Sequence, residues 1–501
     1  MDLHSLKSGS DVRGTAVGDS ATLTPSVVRR LGSAFAIYLA NVKQLPVQQV
    51  SIAVGRDSRV SGPMLLSAAC DGIADAGAKA FDCGLCTTPS MYMAIVESDF
   101  HPTGSIMITA SHHPWKLNGM KFFTDQGGLG YNDLDKVLEL AEGELPEQTA
   151  RSHSAESYPF IPVYSKHLET MIRNGLHTHD PKPLQGLHIV VDAGNGAGGF
   201  YADMLASLGA CVDGSQFLDP NGMFPNHQPN PENPEAMDSV SKAVQKAKAD
   251  FGVIFDTDCD RAAIVDSDGR EINRNRLIAL ISAVLLEKYP GATIVTDSVT
   301  SSGLAAFIRD SGGTHYRYKR GYRNVIDEAI RLNEAGIDCP LAIETSGHAA
   351  MRENRFLDDG MYLVTYLLIH AMRMKADGKT LTSLIESLRE PVESAEYRMK
   401  ILVADFRKAG LSVIQAVLDE SSKRPGCHIL PDNREGVRVS FDISGGSDNG
   451  WFLLRLSVHD PVMALNLESD VTGGNQVMLH ALYKMIKSNT SIDLSAIKDA
   501  L

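Results

Sequence analysis

The segment "LHIVVDAGNGAGG" (Leu187–Gly199) carries the clearest information about the fold of this chain. An uninterrupted apolar run ends at Asp192, and a glycine-rich turn then leads into a helical pattern. Such apolar runs are typical of strands that are covered on both faces, as in α/β sheets. The pattern recurs in "VSIAVGRDSR" (Val50–Arg59) and "ATIVTDSVTSSG" (Ala292–Gly303). Copies so far apart predict three related α/β domains and argue against a short-repeat solenoid.

The last part of the chain has a different pattern. Two strand-like segments, "GVRVSFD" (436–442) and "WFLLRLSVHD" (451–460), are separated by turn residues and followed by a helical pattern over Gly473–Lys487. This order is typical of an α+β domain. We therefore predict an α/β protein with three mixed α/β domains and a C-terminal α+β domain, with boundaries at 1–155, 156–270, 271–390 and 391–501.

The bulk composition excludes several classes of protein. The 501 residues are 43% hydrophobic and 22% charged, which is typical of a globular protein. A net charge of −14 argues against nonspecific nucleic-acid binding, although a local basic cluster can still bind a small anion. The start of the chain lacks an apolar signal core, and the apolar segment Leu277–Leu286 is far shorter than the roughly 20 residues of a membrane span. We expect a soluble cytoplasmic protein without nucleic-acid or membrane partners.

The segment "VIFDTDCDRAAIVD" (253–266) predicts a metal site. A strand over Phe251–Phe255 delivers three aspartates at a spacing of two, and Arg261 follows them directly. Carboxylates clustered in this way repel one another unless a cation lies between them. Oxygen ligands suit Mg²⁺, which also favours phosphate as a further ligand. The predicted metal ligands from this segment are Asp256, Asp258 and Asp260.

Four other segments are weaker candidates when each is taken alone. "IETSGHA" (Ile343–Ala349) offers alternate polar side chains suited to sugar hydroxyls, and "YRYKRGYR" (Tyr316–Arg323) could face an anion. "RLSVHDP" (Arg455–Pro461) could form a phosphate-binding nest. Gly194–Gly199 matches GxGxxG, but Asp192 would place negative charge beside a pyrophosphate. We interpret that segment as a tight strand-to-helix turn.

Further motifs stand beside these segments along the chain. In chain order the set is "SDVRG" (Ser10–Gly14), "VGRDSRVSGP" (Val54–Pro63), "TTP" (Thr87–Pro89), "TASHHP" (Thr109–Pro114), "NGMK" (Asn118–Lys121), "PNGMFPNHQPNPE" (Pro220–Glu232), "DTDCDR" (256–261) and "ETSGH" (344–348). Taken together, these motifs resemble those of the α-D-phosphohexomutase superfamily, which includes phosphoglucomutase and phosphomannomutase. The resemblance implies four domains around a central cleft, of which the first three share a mixed α/β topology. It also implies an isomerase that moves a phosphoryl group between O1 and O6 of a hexose through a hexose 1,6-bisphosphate.

The resemblance assigns a role to each motif. The phosphorylated serine and fourth Mg²⁺ ligand would be Ser111. The remaining catalytic residues would be Arg13 and Arg261, which stabilise the transferring charge, and Lys121 and His348, which act as general acid and base. The substrate-binding residues would be Arg320, Arg323, Glu344, Ser346, His348, Arg455, Ser457 and His459. The expected partners are hexose phosphates, with glucose 1,6-bisphosphate or an equivalent as activator, and we expect a monomer or homodimer.

This sequence departs from the family pattern at several positions. The loop that carries Ser111, "TASHHP" (Thr109–Pro114), is called the serine loop below. His113 stands where this loop usually has Asn in the family. In the fourth-domain loop, His459 and Asp460 replace Thr and Glu, and Ala464 replaces an Arg. Two alternatives follow for this loop: phosphate binding is weaker there, or it is supplied partly by His459, Arg434 or Arg438. In the third-domain loop, Arg320-Gly-Tyr322-Arg323 adds positive charge.

Alternative functions follow from the same residues. The altered fourth-domain loop is compatible with a catalytically impaired sugar-phosphate-binding regulatory protein of the same fold. Glucose, mannose and glucosamine phosphates are all candidate substrates. Asp256-Thr-Asp258 could be an aspartyl nucleophile of a phosphatase, but such enzymes commonly have Thr or Val where Asp260 stands. A dinucleotide-dependent enzyme is the least favoured alternative.

Overall fold

A computed structural model describes residues 2–96, 99–146, 155–457 and 460–501. The chain forms two compact units. The first contains Met1–Leu277 and Ser346–Ser383, and the second contains Ile278–Thr345 and Leu384–Leu501. The four predicted domain boundaries are a finer division than these units and stay a prediction.

The first stretch of the chain forms a mixed sheet with the strand order β1-β2-β6-β5-β3-β4-β8, and β7 pairs with β6. Its strands are β1 (Lys7–Ser8), β2 (Asp11–Thr15), β3 (Ser51–Arg56), β4 (Lys79–Leu85), β5 (Gly104–Ile108), β6 (Leu117–Thr124), β7 (Gly127–Gly128) and β8 (Glu156–Ser157). Its helices are α1 (Pro25–Lys43), α2 (Gly62–Asp75), α3 (Thr88–Val96) and α4 (Tyr131–Glu142). Strand β3 is parallel to β4 and β5, whereas β6 runs antiparallel to β5 and β2.

The packing of this stretch follows from its sequence. Helix α1 begins at a proline in its first turn, and the Thr24 hydroxyl caps it by accepting the Val27 N–H. The apolar faces of α1, α2 and α4 bury one continuous core against the sheet. The loop between β5 and β6, which holds Ser111, therefore starts at the carboxyl end of a buried parallel strand.

The next stretch forms a four-stranded sheet with the order β12-β11-β10-β9. Its elements are α5 (Ile161–Gly175), β9 (Ile189–Asp192), α6 (Phe200–Ser207), α7 (Pro234–Ala247), β10 (Phe251–Phe255), β11 (Ala262–Asp266) and β12 (Glu271–Ile272). The strand predicted over Phe251–Phe255 is confirmed, and β11 pairs with it as an antiparallel hairpin. The three aspartates of the predicted metal site therefore lie on the loop of this hairpin.

The glycine-rich segment between β9 and α6 is a tight turn. The Gly194 N–H donates to Asp192 Oδ1 over 2.9 Å, and Gly194 has a φ of 53°. A Cβ on Gly199 would lie 2.1 Å from the Leu218 carbonyl oxygen, so only glycine fits there. The interpretation as a strand-to-helix turn is confirmed. Asp192 accepts the hydrogen bond of the Gly194 N–H, which a pyrophosphate would otherwise need.

The third stretch begins with α8 (Asn275–Lys288), within which the chain passes from the first unit to the second. It continues with β13 (Thr293–Thr296), α9 (Ser302–Asp310), β14 (Thr314–Arg317), α10 (Tyr322–Glu334) and β15 (Leu341–Ile343). Strand β13 pairs in parallel with β14 and β15. After Thr345 the chain re-enters the first unit and forms β16 (Ala349–Met351), β17 (Leu357–Asp358) and α11 (Gly360–Ala376).

The last stretch is an antiparallel sheet with the order β18-β22-β21-β20-β19. Its elements are β18 (Glu393–Lys400), α12 (Phe406–Ser421), β19 (Cys427–Ile429), β20 (Val437–Phe441), β21 (Gly450–Leu456), β22 (Val462–Ser469), α13 (Gly474–Ile486) and α14 (Ser495–Lys498). Helices α12 and α13 share one buried core with the sheet. The predicted fold class, mixed α/β followed by α+β, is confirmed. No helix in the described part of the chain is long and apolar enough to cross a membrane.

Candidate active site

Ser111 lies on the loop between β5 and β6 and faces the predicted metal loop. Its Oγ donates to Asp256 Oδ2 over 3.0 Å and lies 3.3 Å from His112 Nδ1. The backbone of Ser111 has a φ of 50°, in the left-handed region that non-glycine residues rarely adopt. The hydroxyl of Thr109 accepts the Ser111 N–H over 2.9 Å. Backbone strain of this kind is typical of functional loops that the surrounding structure holds in place.

A buried arginine holds the serine loop in this shape. Arg59 is 0% exposed, and its two Nη atoms donate to the backbone carbonyls of Ser111, His113, Pro114 and Leu117. Its Nε donates to Asp57 Oδ2 over 3.1 Å, and the same carboxylate oxygen accepts the Thr109 hydroxyl. Burial raises the pKa of Asp57, while the Arg59 charge opposes that rise.

Sequence reasoning did not assign a role to Arg59 or Asp57. The available signal was the charged pair in "GRDSR", directly after the apolar strand β3. Charged side chains at the carboxyl end of a buried parallel strand either bind a ligand or hold a loop that does.

The aspartates of the β10–β11 loop form a compact buried cluster. One carboxylate oxygen from each of Asp256, Asp258 and Asp260 lies within 4.8 Å of the others. Burial, followed by the charge of Asp260, raises the pKa of Asp258 to about 6. Burial and the two neighbouring carboxylates also raise the pKa of Asp256 well above its ordinary value.

This cluster fits a divalent cation. Among the described residues, Oδ1 of Asp258 and Oδ1 of Asp260 are buried without a hydrogen-bond partner. Buried carboxylate oxygens are costly in that state unless a cation or a donor satisfies them. The donor set is all oxygen, which Mg²⁺ prefers, and Ser111 is positioned to add a further oxygen.

Thr88, at the start of α3, orients one of these aspartates. Its Oγ1 donates to Asp258 Oδ2 over 2.5 Å, and its N–H donates to the Asp258 carbonyl over 2.9 Å. These two bonds leave Asp258 Oδ1 for a cation. Sequence reasoning noted the "TTP" motif but gave Thr88 no role, because its partner is 170 residues away.

The predicted residues Lys121 and Arg13 lie beside this cluster and share a carboxylate. Lys121 Nζ is 3.0 Å from Asp260 Oδ2 and 4.0 Å from Asp11 Oδ2. Arg13 Nη2 is 3.2 Å from the same Asp11 oxygen. The antiparallel pairing of β2 with β6 brings the two cations together. Arg13 lies opposite Gly119, which is two residues before Lys121 on β6. Asp11 was missed as a site residue, although it belongs to the "SDVRG" motif.

Arg261 and His348 form a second buried pair in the first unit. Arg261 Nε donates to His348 Nε2 over 3.1 Å, and His348 Nδ1 lies 2.9 Å from Ser346 Oγ. Because a guanidinium only donates, the proton of the neutral ring is on Nδ1. Burial, followed by the Arg261 charge, lowers the pKa of His348 well below its ordinary value. Both ring nitrogens are therefore engaged, and His348 is arranged to orient Arg261.

The second unit contains a basic cluster around Arg320 and Arg455. The Arg320 N–H donates to Glu435 Oε2 over 3.2 Å, and Ser298 Oγ donates to the same oxygen. Burial lowers the pKa of Arg455, the Glu435 charge opposes this, and the Arg320 charge adds to it. Glu344 Oε1 accepts the Gly321 N–H over 2.6 Å, which places Glu344 at the same loop. Sequence reasoning missed Glu435, the carboxylate within this cluster.

The remaining predicted binding residues are Arg323, Ser457 and His459. Arg323 lies on α10, where its Nε donates to Asp327 over 3.0 Å. Ser457 follows β21, and its Oγ accepts the Asp460 N–H over 3.4 Å. His459 lies outside the described residues.

Of the residues named as alternative sources of phosphate binding, Arg438 is ruled out by its position. Arg438 is 0% exposed, and its Nη atoms donate to the carbonyls of Ser298 and Thr300. Its guanidinium also lies 3.5 Å from the centre of the Trp451 ring. The side chain is therefore part of the packing of the second unit. Arg434 donates to backbone carbonyls through Nη1.

The structure thus brings two groups of predicted residues together, one within each unit. The group in the first unit consists of Arg13, Ser111, Lys121, Asp256, Asp258, Asp260, Arg261, Ser346 and His348. The group in the second unit consists of Arg320, Glu344 and Arg455. The first group has the composition needed for phosphoryl transfer, namely a hydroxyl, a metal-binding carboxylate cluster and several cations.

Comparison with known proteins identifies the family. Models described as phosphoglucomutase/phosphomannomutase alpha/beta/alpha domains I, II and III match residues 5–144, 162–269 and 273–392. A Xanthomonas campestris pv. campestris protein named "Phosphohexose mutases" is 30% identical over 466 residues, which are 92% of this chain and 94% of that protein. "Phosphomannomutase/phosphoglucomutase" of Pseudomonas aeruginosa is 30% identical over 461 residues, which are 92% and 90% of the two chains.

Comparison with solved structures identifies the same family. The crystal structure of a phosphoglucomutase/phosphomannomutase family protein from Burkholderia thailandensis has a TM-score of 0.78 and 27% sequence identity, and the match covers 98% of this chain and 100% of that one. The chain therefore belongs to the phosphoglucomutase/phosphomannomutase family of the α-D-phosphohexomutase superfamily, and it is a phosphohexomutase enzyme.

Proposed function

We propose that the enzyme interconverts hexose 1-phosphate and hexose 6-phosphate through a phosphorylated Ser111. The observation that carries this proposal is the 3.0 Å hydrogen bond from Ser111 Oγ to Asp256 Oδ2, within the buried aspartate cluster. A phosphoserine carries about −1.5 to −2 charges at neutral pH, so it needs a cationic environment. The adjacent cation-binding cluster and the nearby Arg13, Lys121 and Arg261 supply one.

The reaction consists of two phosphoryl transfers. In the first, the bond between phosphorus and Ser111 Oγ breaks, and the phosphorus bonds to a hydroxyl oxygen of the hexose phosphate. The hydroxyl loses a proton and the serine oxygen gains one, so the transfer is balanced. In the second, the other phosphoryl group of the resulting hexose 1,6-bisphosphate moves to Ser111 Oγ, and the opposite proton transfer occurs.

The cations and carboxylates of the first group have defined roles in these transfers. Arg13 and Arg261 donate hydrogen bonds to the charge that spreads over the transferring group. We assign proton transfer to Lys121, because both ring nitrogens of His348 are engaged by Arg261 and Ser346. Mg²⁺ bound by the three aspartates and the serine oxygen would neutralise charge on the phosphoryl group.

Substrate binding is assigned to the second group together with Ser346 and Ser457. Arg320, Arg455 and Ser457 offer donors suited to the phosphate that is not transferred, and we assign them to it. Glu344 and Ser346 are suited to sugar hydroxyls. The relative named phosphomannomutase/phosphoglucomutase supports glucose and mannose phosphates as the substrate class. A hexose 1,6-bisphosphate as activator is part of the same proposal. A cytoplasmic location and a monomeric or dimeric state stay predictions.

A coupled assay with Mg²⁺ and glucose 1,6-bisphosphate tests this function. Glucose 1-phosphate, mannose 1-phosphate and glucosamine 1-phosphate are compared as substrates, and formation of the corresponding 6-phosphate is followed. We expect turnover with glucose or mannose 1-phosphate and none with Ser111→Ala. Release of inorganic phosphate without the isomer would contradict the proposal and indicate a phosphatase. Binding without turnover in the wild type would indicate a regulatory protein.

A further inference from the structure

The residue that replaces the usual Asn of the serine loop contacts a catalytic arginine. Arg13 Nη1 and His113 Nε2 are 2.6 Å apart. On its other side, Arg13 Nη2 contacts Asp11 Oδ2 over 3.2 Å. We propose that His113 is a positioning residue that aims the Arg13 guanidinium at the phosphoryl group carried by Ser111. This inference rests on the proposed function.

The contact defines the hydrogen-bonding role of the histidine ring. A guanidinium donates hydrogen bonds and accepts none, so Nε2 of His113 must be the acceptor and the ring proton must be on Nδ1. A neutral acceptor fixes the direction of the guanidinium without cancelling its charge. Since arginine has five N–H donors, the contacts with His113 and Asp11 leave other donors for a phosphoryl group.

The backbone and the neighbouring ring hold His113 in place. Its N–H donates to the Ala110 carbonyl over 3.1 Å, and its own carbonyl accepts from Arg59 Nη2 over 2.6 Å. Its ring stacks on His112, with centroids 4.7 Å apart and planes 25° apart. The arginine that shapes the serine loop therefore also holds the backbone from which the His113 ring extends.

The length of the side chain at position 113 decides whether its acceptor reaches Arg13. The terminal amide of a glutamine reaches about as far from Cα as imidazole Nε2, whereas the amide of an asparagine stops near Nδ1. An asparagine at position 113 would therefore not reach Arg13 from the same backbone. His113→Gln keeps an acceptor at the required distance, His113→Asn restores the usual family residue, and His113→Phe keeps the ring stack without an acceptor.

Steady-state and single-turnover kinetics of these variants test the proposal. We expect His113→Gln to stay within about threefold of the wild-type kcat, and His113→Asn and His113→Phe to lose roughly 10- to 150-fold, as for a hydrogen bond to a charged group. KM should change by less than about threefold, because Arg13 acts on the transferring group. In an Arg13→Ala background, His113→Phe should have no further effect, since the residues act as a unit.

A control variant completes the test. Lys116→Gln changes an exposed side chain of the same loop and should leave kcat unchanged. Wild-type kcat in His113→Asn and His113→Phe, or full additivity of His113→Phe with Arg13→Ala, would each overturn the inference. If the wild type shows no turnover, the proposed function fails first and the inference falls with it.

Discussion

Replacing Arg59 with methionine should destabilise the serine loop by about 3–5 kcal/mol, the cost of removing one partner from a buried ion pair. Both side chains of the Arg59–Asp57 pair are 0% exposed, so the remaining carboxylate cannot be solvated without opening the loop. The carbonyls of Ser111 and His113 also lose their donor. The loss of these hydrogen bonds acts in the same direction, because an unsatisfied buried acceptor is costly.

Native-state hydrogen exchange on peptides that cover residues 104–124 measures this effect locally. The expected loss corresponds to exchange that is faster by roughly a hundred- to several-thousandfold in those peptides. Phosphorylation of Ser111 should fall in parallel, because the loop no longer holds its left-handed backbone. Arg59→Lys should lie between wild type and Arg59→Met, since an ammonium cannot form the same fork of hydrogen bonds.

A surface pair in the same unit provides the matched control. Lys43 Nζ lies 2.6 Å from Asp125 Oδ2, and the two side chains are 30% and 47% exposed. Lys43→Met should therefore cost less than about 1 kcal/mol and leave exchange of these peptides near the wild-type rate. Exchange in Arg59→Met within about threefold of the wild type would refute the proposed role of the buried arginine.

Three further predictions concern the predicted metal site, the basic cluster around Arg320 and Arg455, and Glu468 on β22. Thr88→Val should weaken Mg²⁺ binding by roughly 10- to 100-fold in calorimetry, because Asp258 loses its orienting donor; unchanged affinity would contradict this. Arg455→Gln should raise the KM for hexose phosphate by roughly 10-fold or more, whereas Arg438→Gln should lower the melting temperature with little change in KM. Burial raises the pKa of Glu468 from 4.5 to about 7, so the folded state keeps a proton that the unfolded chain has lost, and stability falls as pH rises between these values. Melts across that range should show a smaller slope for Glu468→Gln, and an equal slope would contradict the assignment.

The metal loop could be predicted from sequence because its information is local. A buried strand followed by Asp256, Asp258 and Asp260 places three carboxylates on one short loop, whatever the rest of the chain does. Ser111 was predicted for a similar reason, as a hydroxyl directly after the strand β5 and within a family motif. The alternation of apolar runs and helices likewise predicted the α/β class, because burial of both sheet faces determines that pattern.

The supporting residues could not be predicted, because their partners are distant in sequence. Arg59 acts on backbone carbonyls more than 50 residues away, and nothing in the sequence shows that the serine loop curls around its side chain. Thr88 and Asp11 acquire their roles only when separate strands and helices pack together. Arg438 was named as one alternative because charge alone suggests an anion site, whereas its Nη atoms donate to backbone carbonyls and its guanidinium packs on an aromatic ring.

The central claim is that Ser111 carries the phosphoryl group, and phosphopeptide mapping tests it most directly. The purified enzyme is incubated with Mg²⁺ and glucose 1,6-bisphosphate, digested and analysed by mass spectrometry, with Ser111→Ala treated in parallel. The account predicts one added phosphoryl group on the peptide that contains Ser111, and its loss when hexose 1-phosphate is added. An enzyme that turns over hexose phosphates while Ser111 stays unmodified, or a Ser111→Ala variant that keeps its activity, would contradict it.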